Sequence, residues 1–205
     1  MIAVIDYGVG NMFSLLCSLK AVGAQGVLTF DETEIKNAEK IILPGVGAFA
    51  DARLRLYQTG LSSVVQEEAL NGKPLLGVCL GMQLLFEKSF ENGEYEGLGL
   101  IPGEVVSFKG AIDSKLKIPQ IGWNSLIFSK NREKSRLYKY TDEGAYVYFV
   151  HSYYASSCDD FVSAYTQYGI NITASAEKGS IYAVQYHPEK SGKTGLKILQ
   201  AFCEI

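Results

Sequence analysis

Apolar and polar positions follow a different pattern in each half of the chain. In the first half, short apolar runs alternate with segments whose apolar residues recur at helical spacing. This alternation predicts strands at 2–6, 26–30, 40–43 and 74–78, and helices at 11–22, 31–38, 48–58 and 61–70. Strands joined by helices in this order predict a parallel sheet with right-handed crossovers.

After about residue 92 the helical spacing fades, and runs rich in valine, isoleucine, tyrosine and phenylalanine take over. Such runs, separated by Gly, Asn and Asp turns, are typical of mixed or antiparallel strands. They predict strands at 104–108, 121–128, 146–150, 161–166, 171–176 and 181–186, followed by a last helix at 193–203. We therefore predict a single α/β domain over residues 1–205. Its central, mostly parallel sheet is flanked by helices, and the β-rich second half adds antiparallel strands.

Composition and charge narrow the classes of partner. The net charge is −3 and no basic stripe is visible, so we expect no nucleic acid partner. No apolar run approaches the roughly 18 residues that a membrane span requires, so we expect no membrane association. The chain opens on a strand pattern without a secretory signal, and its four cysteines form no C-x-x-C pair. These features predict a reducing, cytoplasmic location and no metal or other cofactor.

The stretch 74–86 contains the strongest candidate for a nucleophile. Its apolar run 75–78 predicts a strand buried on both faces, and the apolar residues after Gly81 continue at helical spacing. Cys79 stands between them, flanked by Gly77 and Gly81, in the cysteine form of a nucleophile elbow. The positive end of the following helix would favour its thiolate. The alternative is a small buried hydrophobic residue at the end of a strand.

The chain has two histidines, so an imidazole base must be His151 or His187. Pro188 favours an extended backbone at His187, which would place the His187 and Glu189 side chains on the same side. A carboxylate there can accept the Nδ1 proton and leave Nε2 to deprotonate a nucleophile. Cys79, His187 and Glu189 would together supply nucleophile, base and orienting group. His151 follows an apolar strand and has no carboxylate within two residues, so packing or substrate positioning suits it better.

A second pattern near the start of the chain favours a different class of function. Gly8-Val9-Gly10 follows a strand and opens a helix, and Asp31 ends the next strand, as in a dinucleotide fingerprint. Phe13 replaces the third glycine of that fingerprint, so a plain turn is the simpler interpretation. A nucleotide-binding module stays open as the non-enzymatic alternative.

Five motifs carry a resemblance to a known family. G-V-C-L-G-M-Q at 77–83 and Q-Y-H-P-E-K-S at 185–191 resemble the class I, or triad, glutamine amidotransferases. L-P-G-V-G-A-F at 43–49, I-G-W-N at 121–124 and Y-F-V-H-S-Y at 148–153 resemble, within that family, the glutaminase subunits of imidazole glycerol phosphate synthase. The resemblance covers essentially the whole chain.

The resemblance implies an activity and a partner. The chain would hydrolyse glutamine and pass the ammonia to a (β/α)8-barrel cyclase subunit, which makes imidazole glycerol phosphate and an aminoimidazole carboxamide ribotide in histidine biosynthesis. A paralogous glutaminase that serves a different acceptor synthase is the close alternative. A cysteine-elbow protein of another kind is more distant, because it would not need the His187–Glu189 pair.

The resemblance also implies roles for individual residues. Cys79 would form a glutamyl thioester, with His187 as base and Glu189 orienting it, and the peptide N–H groups of Val46 and Leu80 would form the oxyanion hole. The implied glutamine-binding residues are Gly47, Gln83, Glu91, His151, Ser152 and Tyr153. The implied interface residues are Trp123, Asn124 and Lys190, although for Trp123 core filling is an equal alternative. Gln120 departs from the pattern, since many members carry histidine there.

Overall fold

The computed structural model describes residues 1–205 and contains fourteen strands and six α-helices. The strands are β1 Ile2–Ile5, β2 Gly26–Thr29, β3 Lys40–Leu43, β4 Leu75–Val78, β5 Phe86–Ser89, β6 Tyr95–Glu96, β7 Ile101–Ser107, β8 Gln120–Ser125, β9 Ile127–Phe128, β10 Tyr146–His151, β11 Tyr153–Ser156, β12 Val162–Tyr168, β13 Ile170–Lys178 and β14 Ile181–Val184. The helices are α1 Met12–Ala21, α2 Glu32–Asn37, α3 Phe49–Gln58, α4 Leu61–Leu70, α5 Leu80–Leu84 and α6 Gly192–Cys203. Each helix and strand predicted in the first half before residue 79 is confirmed to within two residues at either end.

An eight-stranded mixed sheet forms the centre of the molecule, in the order β2-β1-β3-β4-β14-β13-β12-β9. The first five strands are parallel, and the remaining three pair antiparallel. A smaller mixed sheet, β11-β7-β5-β6, and an antiparallel pair, β10-β8, are formed by strands between residues 86 and 156. The predicted α/β class, with a mostly parallel sheet and added antiparallel strands, is confirmed.

Apolar side chains cover both faces of the central sheet. Along β1, Ile2 and Val4 belong to one buried cluster, while Ala3 and Ile5 belong to the other. Helices α1 and α6 contribute to the first cluster, and α2, α3 and α4 contribute to the second. Because consecutive residues of a strand point to opposite faces, a strand between two helical layers must be apolar throughout.

The structure differs from the prediction directly after the elbow. Apolar spacing predicted a helix through Phe86, but α5 ends at Leu84 and β5 begins at Phe86. The reason lies in a distant segment: the Leu98 N–H donates to the Leu84 carbonyl at 2.7 Å, and the Leu100 N–H donates to that of Leu85 at 2.9 Å. These carbonyls would otherwise accept the bonds of a continuing helix. The prediction also missed β6 and β11, and its strand at 121–128 is two strands separated at Leu126.

The topology brings three loops together. Strands β3, β4 and β14 are neighbours in the parallel part of the sheet, with β4 in the middle. Their carboxyl ends lie at the same edge, where open α/β sheets bind ligands. The loop after β3 is 44–47, Cys79 follows β4, and the chain from 185 to 191 follows β14. The motifs singled out in the sequence therefore meet at one place.

Candidate active site

Cys79 lies at a sharp strand-to-helix turn with an unusual backbone conformation. Its φ is 55° and its ψ is −109°, a region that side-chain-bearing residues rarely adopt. A Cβ at Gly81 would collide with the carbonyl of Leu43, and one at Gly77 would lie 2.9 Å from the Gly81 oxygen. Gly81 is therefore required for the turn to pack against β3, and Gly77 for α5 to pack against the strand before it. The result matches the nucleophile elbow predicted from the sequence.

His187 and Glu189 form a buried pair beside the thiol. The Nδ1 atom of His187 lies 2.8 Å from Oε1 of Glu189, and their side chains are 2% and 4% exposed. The backbone is fixed by the His187 N–H, which donates to the Tyr148 carbonyl at 2.9 Å, and by the Ser191 hydroxyl, which donates to the His187 carbonyl at 2.6 Å. The predicted same-side placement of the two side chains is what the structure shows.

The protonation of His187 is set by opposing effects. Burial lowers the pKa of the ring, but the neighbouring Cys79 and Glu189 outweigh it and raise the pKa to about 9. The imidazolium form therefore predominates at neutral pH. Its Nε2 atom is buried and makes no well-oriented hydrogen bond, and Cys79 and His187 line the same cavity. This arrangement can exchange a proton between the sulfur and Nε2.

The loop after β3 packs directly against the elbow. Gly45 approaches so closely that a Cβ there would lie 2.6 Å from the Tyr7 hydroxyl and 3.0 Å from the Gly81 nitrogen. The Tyr7 hydroxyl donates to the Pro44 carbonyl at 2.6 Å and holds the loop. The peptide N–H groups of Val46 and Leu80 make no backbone hydrogen bond. Both residues line the same cavity as Cys79, so this cavity has two peptide N–H groups in its wall that are not used by the backbone.

A cavity of about 390 Å³ joins these groups. It is lined by eleven of the residues singled out in the sequence, namely Val46, Gly47, Cys79, Leu80, Gln83, Glu91, His151, Ser152, Tyr153, His187 and Lys190. Pro119 and Val150 also line it and were not anticipated. Glu189 lies behind His187, outside the main cavity. The volume is in the range of small-molecule sites.

A hydrogen-bonded group of polar side chains forms one wall of the cavity. The Gln83 amide donates to the Tyr153 carbonyl at 3.1 Å, and His151 Nδ1 lies 2.8 Å from the same oxygen. On its other side, Nε2 of His151 lies 3.0 Å from Oε1 of Gln120. Burial lowers the pKa of His151 to about 4, so the ring is neutral at pH 7. Both contacts are to oxygen atoms that accept, and a neutral ring carries one N–H, so only one of the two is a hydrogen bond at a time. A ring held between these two oxygens suits positioning rather than proton transfer.

Glu91 stands at the rim of the cavity, just after β5. Its Oε2 atom accepts a hydrogen bond from the Phe49 N–H at 2.7 Å, at the first residue of α3. The contact ties the segment after β5 to the loop 44–47, which runs into α3. The carboxylate is thus fixed at the cavity and is not a freely solvated charge.

Two of the residues assigned to an interface, Trp123 and Asn124, lie on β8, which pairs with β10. The third, Lys190, directly follows Glu189. Trp123 is 51% exposed and packs edge-on against Tyr148 at 6.0 Å, so core filling was the wrong alternative. Asn124 connects inward, because the buried Gln120 amide donates to its Oδ1 at 3.0 Å. Lys190 is exposed beside the cavity. Gln120 therefore lies behind His151 and not at the surface.

The glycine-rich start of the chain forms a turn. Gly8 and Gly10 have φ values of 82° and 133°, and the Gly8 N–H donates to Oδ1 of Asp6 at 3.0 Å. This turn explains the glycines without a nucleotide. None of the helices in the structure has the length and apolarity needed to cross a membrane.

Comparison with known proteins agrees with the geometry. The family model "Glutamine amidotransferase class-I" matches residues 3–205. The imidazole glycerol phosphate synthase subunit HisH of Caldanaerobacter subterraneus subsp. tengcongensis is 51% identical, with 100% of this chain and 98% of the relative covered. The subunit of the same name from Wolinella succinogenes is 44% identical, with both chains fully covered.

Solved structures support the fold. The structure of PurLQS from Thermotoga maritima matches with a TM-score of 0.72 at 20% identity, covering 99% of this chain and 97% of that one. A crystal structure of a glutamine amidotransferase matches with a TM-score of 0.76 at 15% identity, covering 100% and 98%. At such low identity these likenesses concern the architecture alone.

Proposed function

Since the chain belongs to the class-I glutamine amidotransferase family, we propose that it is the glutaminase subunit of an imidazole glycerol phosphate synthase. It hydrolyses glutamine to glutamate and ammonia for histidine biosynthesis. Its full-length relatives carry that subunit name at 44–51% identity, which favours this function over a paralogue with another acceptor. The observation that carries the chemistry is the meeting of Cys79, the His187–Glu189 pair and two free peptide N–H groups in one cavity.

The reaction begins with the thiolate of Cys79, which attacks the side-chain amide carbon of glutamine. The imidazolium of His187 then donates its Nε2 proton to the leaving nitrogen, ammonia departs, and a glutamyl thioester remains. Neutral His187 next removes a proton from water, which attacks the thioester and releases glutamate. Glu189 accepts the Nδ1 proton in a hydrogen bond throughout and keeps Nε2 directed at the sulfur.

Two backbone donors stabilise the negative oxygen that develops in each tetrahedral intermediate. Leu80 is the first residue of α5, so its N–H has no intrahelical partner and carries the partial positive charge of the helix end. The Val46 N–H is the second donor. Such preorganised donors do not need to reorient during the reaction. Gly47, with a φ of 97°, permits the backbone path of this loop.

The remaining lining residues hold the amino acid end of glutamine. The fixed carboxylate of Glu91 is the counter-charge for the ammonium group, and Gln83 lies one turn after Cys79 on the same side of α5. The 151–153 segment, His151, Ser152 and Tyr153, receives the carboxylate end. Fixing both ends places the amide at the sulfur, which lowers the entropic part of the barrier.

Ammonia becomes protonated in water, so a cyclase subunit must cover the open side of the cavity. We propose that this partner is a (β/α)8-barrel and that Trp123, Asn124 and Lys190 contact it. The half-exposed Trp123 supports such a contact, because exposed aromatic residues are enriched at interfaces. The complex would act in the cytoplasm, as expected from the separated cysteines.

Glutamine hydrolysis by the purified chain, alone and with the cyclase subunit of the same organism, tests this function. We expect hydrolysis either to require the partner or to become much faster with it. The complex should form imidazole glycerol phosphate with nitrogen from glutamine. One glutamate should be released for each molecule of imidazole glycerol phosphate formed. Hydrolysis without product formation would favour the paralogue, and the absence of hydrolysis in a formed complex would refute the proposal.

Replacement of Glu189 by glutamine tests the pair through its pH dependence. The carboxylate raises the pKa of His187, so its removal lowers that pKa from about 9. Activity requires the imidazolium for ammonia release, so it falls as pH rises through this value. We expect Glu189→Gln to lower kcat about 10²-fold or more, by comparison with triad enzymes, and to move the alkaline limb to lower pH.

The measurement is glutamate formation between pH 6 and about 10. Titration of the glutamine amino group affects the wild type and Glu189→Gln equally. The difference in pH between their two alkaline limbs therefore comes from the enzyme. Glu204→Gln, a change at an exposed carboxylate in the last turn of the chain, is the matched control. An alkaline limb that coincides with that of the wild type would contradict the assigned role.

A further inference from the structure

Gln185 lies next to the candidate nucleophile in the register of the central sheet. Val184 of β14 pairs with Val78 of β4, and the Cys79 N–H donates to the Val184 carbonyl at 2.8 Å. The residues that follow these two strands are therefore neighbours. Gln185 is completely buried, and its Nε2 atom lies 3.8 Å from the sulfur of Cys79, within the range of an N–H···S hydrogen bond.

The orientation of the Gln185 amide follows from its neighbours. A backbone carbonyl can only accept, so the atom of Gln83 that faces the Tyr153 carbonyl at 3.1 Å must be the amide nitrogen. That nitrogen also lies 3.0 Å from Gln185, so the Gln185 atom in this contact must be the oxygen. The Gln185 nitrogen is left facing the sulfur. The Tyr153 carbonyl therefore determines which atom donates and which accepts in each hydrogen bond from Gln83 through Gln185 to Cys79.

We propose that Gln185 is a positioning residue that donates a hydrogen bond to the sulfur of Cys79 and holds it as a thiolate aimed at the substrate. The inference rests on the proposed function, since it assigns a part in the same reaction. The thiol proton passes from the sulfur to Nε2 of His187, and Gln185 keeps both of its amide protons. Hydrogen bonds to a charged acceptor are stronger than those to a neutral one, so the contact favours the thiolate over the thiol.

The same contact also limits where the thiol can point. One face of the sulfur accepts the amide N–H, so whenever the sulfur is protonated its S–H bond must point away from Gln185. The anchoring through Gln83 links this arrangement to the wall that we assign to glutamine binding. Gln185 thus connects the glutamine-binding wall to the nucleophile through two hydrogen bonds.

Alkylation of Cys79 tests the proposal without glutamine. Gln185→Met keeps the length of the side chain and removes the donor, and Gln185→Glu keeps its shape but places an oxygen toward the sulfur. In the complex with the cyclase, we expect both to slow iodoacetamide modification of Cys79 at pH 7 about tenfold or more. The pH of half-maximal rate should rise by about one unit, the equivalent of a tenfold change in equilibrium.

Peptide mass spectrometry supplies the measurement and an internal reference. Cys17 is exposed in the same chain, so its modification rate should stay constant in every variant. Gln200→Met, an equivalent change at an exposed position of α6, should leave Cys79 reactivity and glutamine hydrolysis unchanged. Thermal unfolding of each variant identifies losses of stability.

The outcomes separate this inference from the proposed function. If both Gln185 variants modify Cys79 with the wild-type rate and pH profile, the inference is overturned, even if they are less stable. That conclusion requires that the wild-type complex hydrolyses glutamine normally in the same experiment. A wild-type complex without glutamine hydrolysis would instead overturn the proposed function, whatever the Gln185 variants do.

Discussion

Cys79→Ala will abolish glutamine-driven synthesis in the complex and leave ammonium-driven synthesis at the wild-type rate. The expected loss of glutamine-dependent activity is at least about 10³-fold, because removal of a nucleophile leaves only binding and oxyanion stabilisation. Alanine retains the Cβ of cysteine, so the strained φ of 55° becomes no less favourable. The cyclase subunit is unaltered and receives ammonia directly from solution. The measurement is product formation with glutamine and with an ammonium salt at alkaline pH.

Cys158→Ala is the matched control, since Cys158 is the other buried cysteine and its thiol contacts Thr173 away from the cavity. It should retain both activities. A Cys79→Ala complex that still uses glutamine would exclude the proposed nucleophile. The loss of both activities, with the complex intact, would contradict a role confined to glutamine hydrolysis.

The two histidines will respond very differently to substitution by asparagine. We expect His187→Asn to lower kcat for glutamine hydrolysis about 10³-fold or more, since no other group can exchange a proton with the sulfur. His151→Asn should change mainly KM, by about tenfold at most, because the neutral ring positions the wall that we propose for glutamine binding. The measurement is the steady-state rate of glutamate formation by each complex.

Stability must be followed in the same experiment, because both rings are buried. His151 packs against Phe108 and Phe149 at 5.0 and 5.6 Å, so His151→Asn should lower the free energy of unfolding by about 1–3 kcal/mol. Asparagine at 187 can still donate to Glu189, which limits the structural damage there. A large loss of kcat in His151→Asn, with a small one in His187→Asn, would reverse the assignment of the base.

The sequence predicted the parts of the site that depend on local structure. The apolar strand before Cys79 and its two flanking glycines define a turn within five residues, and the proline after His187 fixes the backbone locally. The alternation of strands and helices then places the carboxyl ends of β3, β4 and β14 at one edge of the sheet. Cys79 and His187 are 108 residues apart, yet their meeting follows from this topology and from the motifs together.

The errors arose where distant segments decide the structure. The helix after the elbow stops at Leu84 because the segment 98–101 takes its carbonyl groups, and no local pattern at 80–86 records this. Gln185 and Gln120 were quoted in the sequence without an assigned structural role. Their hydrogen bonds to Cys79 and His151 join residues 106 and 31 positions apart. A single sequence carries no signal for such pairs beyond an amide in an otherwise apolar strand.

Acid quenching of the wild-type complex during turnover with glutamine, followed by mass spectrometry of the digested chain, tests the central claim most directly. We predict a glutamyl adduct on the peptide that contains Cys79 and none on the peptide of the exposed Cys17. The adduct should be missing from Cys79→Ala. Continued release of ammonia with no adduct on Cys79, in samples quenched from the first turnover onward, would contradict the account.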